Sequence, residues 1–128
     1  MISILFLALI VLAATKPSIK FTSVPKMGSS EYLHGKVTGV DFAKYAVAVY
    51  IRVDGGWWTK PYWKWPKTEI QKDGTWSCDV VTGGHDQDAD AFVAYLIPIR
   101  YDPPARSGES YLPSGMKKHA VAKVRANR

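Results

Sequence analysis

At 128 residues and 14.2 kDa the chain has room for one domain, which excludes a large multidomain enzyme. Its 47% hydrophobic content and sixteen aromatic residues exclude a wholly disordered polar chain. The net charge of +6 is unevenly placed: residues 16–104 carry eleven Lys and Arg against ten Asp and Glu, whereas residues 105–128 carry six basic residues against Glu109 alone.

Residues 2–14 form an uncharged apolar run that stops at Thr15, Lys16 and Pro17. Thirteen residues at ~1.5 Å rise span ~20 Å as a helix, short of the ~30 Å hydrocarbon core of a bilayer. The run resembles the apolar region of a secretory signal peptide, with Ala13 or Ala14 before the cleavage point, so residues 1–14 are assigned to a signal-peptide helix. Two features depart from that pattern: no basic side chain precedes the run, and Val11 or Leu12 stands where a small residue is preferred. A buried strand is the alternative reading, and an uncleaved run would act as a short membrane anchor. Export predicts a secreted or cell-surface domain. A single cysteine, Cys78, offers no internal disulfide, so the fold must rest on its apolar core, with Cys78 as a buried thiol.

Residues 15–31 read as a linker or a first edge strand, and residues 32–128 as the folded domain. Residues 36–40 are a strand candidate. Residues 45–53 alternate strictly: Tyr45, Val47, Val49, Ile51 and Val53 share one face, and Ala46, Ala48, Tyr50 and Arg52 the other. Asp54-Gly55-Gly56 then punctuates the chain and Trp57-Trp58-Thr59-Lys60 resumes it, a hairpin pattern. Pro61 and Pro66 bracket an aromatic stretch and argue against helix or sheet interior there. Thr68-Glu69-Ile70 predicts a brief strand, Lys72-Asp73-Gly74 a turn, and residues 75–81 a further strand ended by Thr82-Gly83-Gly84. Residues 91–99 are almost continuously apolar and read as a buried strand. Residues 103–115, with three Pro and two Gly, predict a surface loop, and residues 119–123 a last strand. The sum is an all-β chain, an immunoglobulin-like antiparallel β-sandwich of about seven strands.

The order of residues 45–53, Trp57-Trp58-Thr59-Lys60-Pro61, Ile70, Asp73-Gly74-Thr75-Trp76, Thr82-Gly83-Gly84 with Asp86 and Ala89, and Ala94-Tyr95-Leu96-Ile97-Pro98 resembles a small β-sandwich module of bacterial secreted proteins. Such modules often accompany glycoside hydrolases, and the Asp-Gly-Thr-Trp element is similar to one in bacterial immunoglobulin-like domains. The resemblance spans residues 35–104. It implies an accessory extracellular role, with carbohydrate association as one form of it. It carries over no ligand residues, and the expectation from these 128 residues is a module without a catalytic domain beside it.

The segment richest in recognition chemistry holds Trp57, Trp58, Lys60, Tyr62, Trp63, Lys64 and Trp65. An indole face stacks on the C–H face of a pyranose while nearby polar groups exchange hydrogen bonds with its hydroxyls. Pleating sends Trp57 and Trp58 to opposite faces, so at least one is expected in the core; Trp63 and Trp65 either seal the end of the sandwich or form a ligand surface with Tyr62. Lys60 or Lys64 would then set polar specificity, although solvated loop charge explains the lysines as simply, as does a cation over a ring face. Trp76, after a turn and within a strand, is expected in the core.

Asp86, Asp88 and Asp90 alternate in a polar loop. Hard cations favour such oxygen-rich sites, but counted from Asp86 the calcium-hand glycine position holds Ala91 and the bidentate glutamate position holds Ile97. A calcium site of another geometry competes with a solvated turn in which Asp86 caps local N–H groups. His34, His85 and His119 have no zinc spacing. No nucleophile elbow, phosphate-binding glycine loop or metal-hydrolase motif is present. The expectation is a non-catalytic binding module without cofactor. Its leading partner is a polysaccharide or glycoconjugate; a second surface protein is the alternative. An evenly charged body gives no nucleic-acid footprint, and membrane association would need an uncleaved start together with the basic C-terminal segment.

Overall fold

The computed structural model describes residues 15–128, so the apolar start and its signal-peptide reading lie outside the described residues. Within them the chain forms two antiparallel sheets. The smaller contains β1 (Ser18–Ser23), β2 (Leu33–Thr38) and β6 (Thr75–Cys78) in the order β1-β2-β6. The larger runs β8-β4-β3-β7-β9, built from β3 (Tyr45–Val53), β4 (Gly56–Lys60), β7 (Ala91–Pro98), β8 (Ser107–Glu109) and β9 (Ala122–Asn127), with β5 (Thr68–Glu69) paired to β3.

This is the strand order of an immunoglobulin-like sandwich. β1, β2 and β6 occupy the A, B and E positions, and β4, β3, β7 and β9 occupy C′, C, F and G. Those seven strands are the framework, and β5 and β8 are short additions at its margin. The stretch 15–31 supplies an edge strand rather than a linker alone, since β1 pairs with β2 and buries Ile19.

The alternation in residues 45–53 places Val47, Val49, Ile51 and Val53 between the sheets, against Ile19, Leu33, Val37, Trp76, Phe92, Ala94 and Leu96. The turn into β4 is the two-residue type that Asp-Gly favours: Asp54 and Gly55 both have positive φ, 51° and 77°, which matches the twist of the flanking strands. Trp76 fills the middle of the small sheet because Gly35, its partner on β2, has no side chain. A Cβ there would overlap the indole and come within 2.5 Å of the Lys20 carbonyl oxygen. Phe21 meets the same indole edge-on, with ring centroids 6.0 Å apart.

The C-terminal third departs from expectation. Residues 103–115 are not simply a surface loop. They add β8 to the sheet edge, and with the short helix α1 (Met116–His119) they lie across the outer face of the large sheet. Met116 is buried there against Ala48, Tyr50, Trp57, Val93, Tyr95 and Ile97, and Tyr101, Leu112 and Ala120 pack around it. The last strand therefore begins at Ala122, after the helix, rather than at His119. The large sheet is buried on both faces, which explains why β3 and β7 show almost no exposed residue.

Candidate functional site

The seven residues singled out in the aromatic segment separate into three environments. Trp57 pairs with Arg52 across the β3–β4 ladder and Trp58 with Ile51, so the two indoles leave β4 on opposite faces. Trp57 enters the outer-face cluster and is buried there, with the guanidinium carbons of Arg52 and Arg125 5.7 Å and 5.4 Å from its ring centroid. Among the described residues the cations over aromatic rings thus come from Arg52 and Arg125, from Lys123 over Tyr95 and from Arg128 over Phe92, rather than from the lysines beside Trp63. Trp57 is removed from the accessible set by its burial.

Tyr62, Trp63, Lys64 and Trp65 form the second environment. The Trp65 N–H donates to the Tyr62 carbonyl at 3.1 Å, closing a four-residue turn with Trp63 and Lys64 at its corners. An isolated antiparallel bridge joins Tyr62 and Trp65, and their rings meet edge to face with centroids 6.2 Å apart. Trp63 and Trp65 are each 66% exposed and Tyr62 is exposed with them. The flanking prolines keep this turn out of the sheet, and Lys67 pins its exit by donating to the Ile99 carbonyl at 2.7 Å. The rings do not lie in one plane; two of them brace each other at 78° while Trp63 projects beside them.

Trp58 and Lys60 form the third environment, on the inner face of β4. Lys60 faces inward in register with Val49, and the loop after β6 folds over it. Its ammonium donates to the Thr82 hydroxyl at 2.9 Å and to the Asp86 carboxylate, with Lys60 and Asp86 only 6% and 7% exposed. A buried ammonium without a counter-charge costs several kcal/mol, so the pairing is what permits Lys60 to sit there. Lys60 is accordingly no part of the exposed aromatic turn: its register with Val49 turns it inward, where the ion pair with Asp86 holds it.

Asp86 also departs from the solvated turn expected for it. Its Oδ2 accepts from the Thr82 N–H at 3.0 Å, the local capping role, and from Lys60, the long-range one. Asp90 instead binds Arg52 at 2.8 Å, and that hydrogen bond holds its carboxyl below the usual carboxylate range. Asp88 faces His85 at 3.8 Å. The three aspartates thus serve three separate partners, and among the described residues no three His, Cys, Asp or Glu side chains converge on one point for a metal. His34 pairs with the Ser77 hydroxyl at 2.8 Å and His119 stacks on Tyr101. Cys78 is buried, and burial pushes its thiol up to about 12, which leaves little thiolate at neutral pH.

The partnership of Lys60 with Asp86 had no local sequence pattern, because the residues are 26 positions apart. The inward phase of Lys60 in the β4 alternation was the one available sign. Among the described residues no helix is long and apolar enough to cross a membrane. No protein-family model matches the chain, and no curated protein matches it.

Proposed function

We propose that this chain is an exported, non-catalytic, carbohydrate-associated binding module of the accessory immunoglobulin-like kind. The observation that carries this reading is the turn at residues 62–65, which holds Tyr62, Trp63 and Trp65 in solvent on a hydrogen-bonded scaffold. Exposing large aromatic rings at a fixed turn forgoes the stabilisation of burying them, and ring-face stacking on sugar C–H groups is a use that needs them accessible. Lys64 at the same turn supplies donors for hydroxyl or carboxylate groups of a glycan. The secreted or cell-surface location belongs to the same proposal and rests on the apolar start.

A protein partner recruited by strand addition is the second reading, and β9, which ends the large sheet beside β1, is one edge that would serve it. Lys123 and Arg125 are exposed along that strand, the type of charged edge that discourages pairing with another chain. This favours the glycan reading.

A glycan array and a polysaccharide pull-down with residues 15–128 test the proposal. Binding to at least one neutral or acidic polysaccharide, lost in Trp63→Ala and Trp65→Ala, is the expected result. No binding across the array, or full binding by both folded variants, rejects it. Amino-terminal sequencing of the exported product tests cleavage near Ala13 or Ala14.

A further inference from the structure

We infer that the groove between β4 and the loop after β6 is a second, separate binding site, for a single pyranose unit held on the Trp58 indole over the Lys60–Asp86 pair. The groove encloses about 500 Å³, within the ~300–1,000 Å³ typical of small-molecule sites. Trp58, Lys60, Thr82, His85, Asp86 and Gly108 contribute to its walls. It shares the ligand class of the exposed turn but none of its residues, so it stands or falls independently of that turn.

Three features give the groove its chemistry. First, Trp58 is 38% exposed although its partner across the ladder, Ile51, is fully buried. The indole is therefore available along the groove rather than consumed by the core. Gly108 helps to keep it so: this residue has φ 104°, and a Cβ there would press to 3.2 Å from the indole Cζ2.

Second, the carboxylate of Asp86 is lopsided. Among the described residues all hydrogen bonds to it fall on Oδ2, from Lys60, the Thr82 N–H and the Thr82 hydroxyl. Oδ1 has no donor among the described residues, in a side chain more than nine-tenths buried and lining the groove. An ionised carboxylate has room for about four hydrogen bonds, and Oδ1 is not among the fully buried unpaired atoms, so it keeps contact with solvent and can be reached from the groove. A ligand hydroxyl donating to Oδ1 would take the place of water there.

Third, Lys60 has three N–H donors and the described residues use two of them, on Thr82 and Asp86. The pair thus offers an acceptor and a donor side by side. Two neighbouring hydroxyls of a sugar match this arrangement, one donating to Asp86 Oδ1 and the other accepting from Lys60 Nζ. Because the two protein charges already neutralise each other, the site favours a neutral polyol over an ion. The flat apolar face above and the polar pair below also disfavour a purely apolar ligand, which would leave Oδ1 unpaired.

The test is two-dimensional ¹H–¹⁵N NMR of residues 15–128 titrated with methyl pyranosides of glucose, galactose, mannose and N-acetylglucosamine, with cyclohexanol as an apolar probe. The proposal expects saturable shifts of the Trp58 indole N–H and of the Thr82, Gly83 and Asp86 amides with at least one pyranoside. It further expects Trp58→Leu to weaken that pyranoside about tenfold, as loss of one stacking surface implies. Trp63→Ala and Trp65→Ala should leave the shifts of the groove signals, the Trp58 indole N–H and the Thr82, Gly83 and Asp86 amides, unchanged. Shifts confined to the turn at residues 62–65, equal or tighter binding of cyclohexanol, or no shift with any pyranoside would overturn the groove. Since the shift map is read on the unaltered protein, it decides the matter even if Trp58→Leu does not fold. A groove that titrates while Trp63→Ala and Trp65→Ala retain polysaccharide binding would reject the turn and keep the groove; the reverse pattern would do the opposite.

Discussion

Trp76 and the pair Trp63 and Trp65 belong to the same stretch of chain, each near a turn, yet Trp76 is 1% exposed and the other two 66%. What separates them is the neighbour each was given. Trp76 follows the Asp73-Gly74 turn directly into β6, and β2 presents Gly35 opposite it, an empty place on the strand that only a large ring fills. Trp63 and Trp65 lie between Pro61 and Pro66, where the chain cannot join the ladder of either sheet, and no strand offers them a cavity. The same contrast holds for charge. Lys60 is buried against Asp86, whereas Lys64, four residues on, stands in solvent. Residue type therefore does not distinguish the structural from the available side chains in this segment; position relative to the sheet does.

The largest effect follows from the buried charge. Asp86→Ala leaves the Lys60 ammonium without its counter-charge, and a loss of about 3–5 kcal/mol in unfolding free energy is expected from urea titration. Replacing both partners, Lys60→Met with Asp86→Leu, should recover most of that loss, because no uncompensated charge then remains. Lys64→Ala should change stability by less than about 0.5 kcal/mol. If Asp86→Ala and Lys64→Ala behaved alike, the contrast between the two lysines would collapse.

Next in size is the seat of Trp76. Gly35→Ala forces a methyl into the indole, and overpacking of this kind costs about 1–3 kcal/mol. Thermal unfolding should show a clear fall in Tm. The adjacent Cys78 reports on the same seal by chemistry. With its thiol pushed up to about 12 by burial, labelling by iodoacetamide at pH 8 should be negligible in the folded protein and complete in urea. Ready labelling under native conditions would mean that this edge of the core opens.

Much of this contrast could be read before any coordinates. The strict alternation of residues 45–53, the Asp54-Gly55 hairpin and the apolar run at residues 91–99 identified the centre of the large sheet, since each is a local pattern set by pleat geometry or turn chemistry. The opposed faces of Trp57 and Trp58 followed from the same pleat. Hidden features were those that depend on distant partners. Lys60 meets Asp86 across 26 positions, and Met116 caps the outer face of the large sheet from a four-residue helix too short to show a period. For the same reason residues 103–115, rich in Pro and Gly, looked like a loop although Pro103 and Pro113 are buried. A cover lying irregularly over a sheet carries no repeating pattern to find.

The smallest expected effect is also the sharpest test of the exposed turn. Among the described residues Trp63 makes no ring pair, so Trp63→Ala should alter unfolding free energy by no more than about 0.5 kcal/mol. Trp65 loses its edge-to-face contact with Tyr62 on replacement, and Trp65→Ala should cost somewhat more, up to about 1 kcal/mol. Both should keep the wild-type urea m-value, because neither changes how much surface the fold buries. A loss at Trp63 as large as that of Gly35→Ala would mean that the ring supports the sandwich despite its exposure. The turn would then be part of the fold's own structure, and its aromatics would need no ligand to account for them.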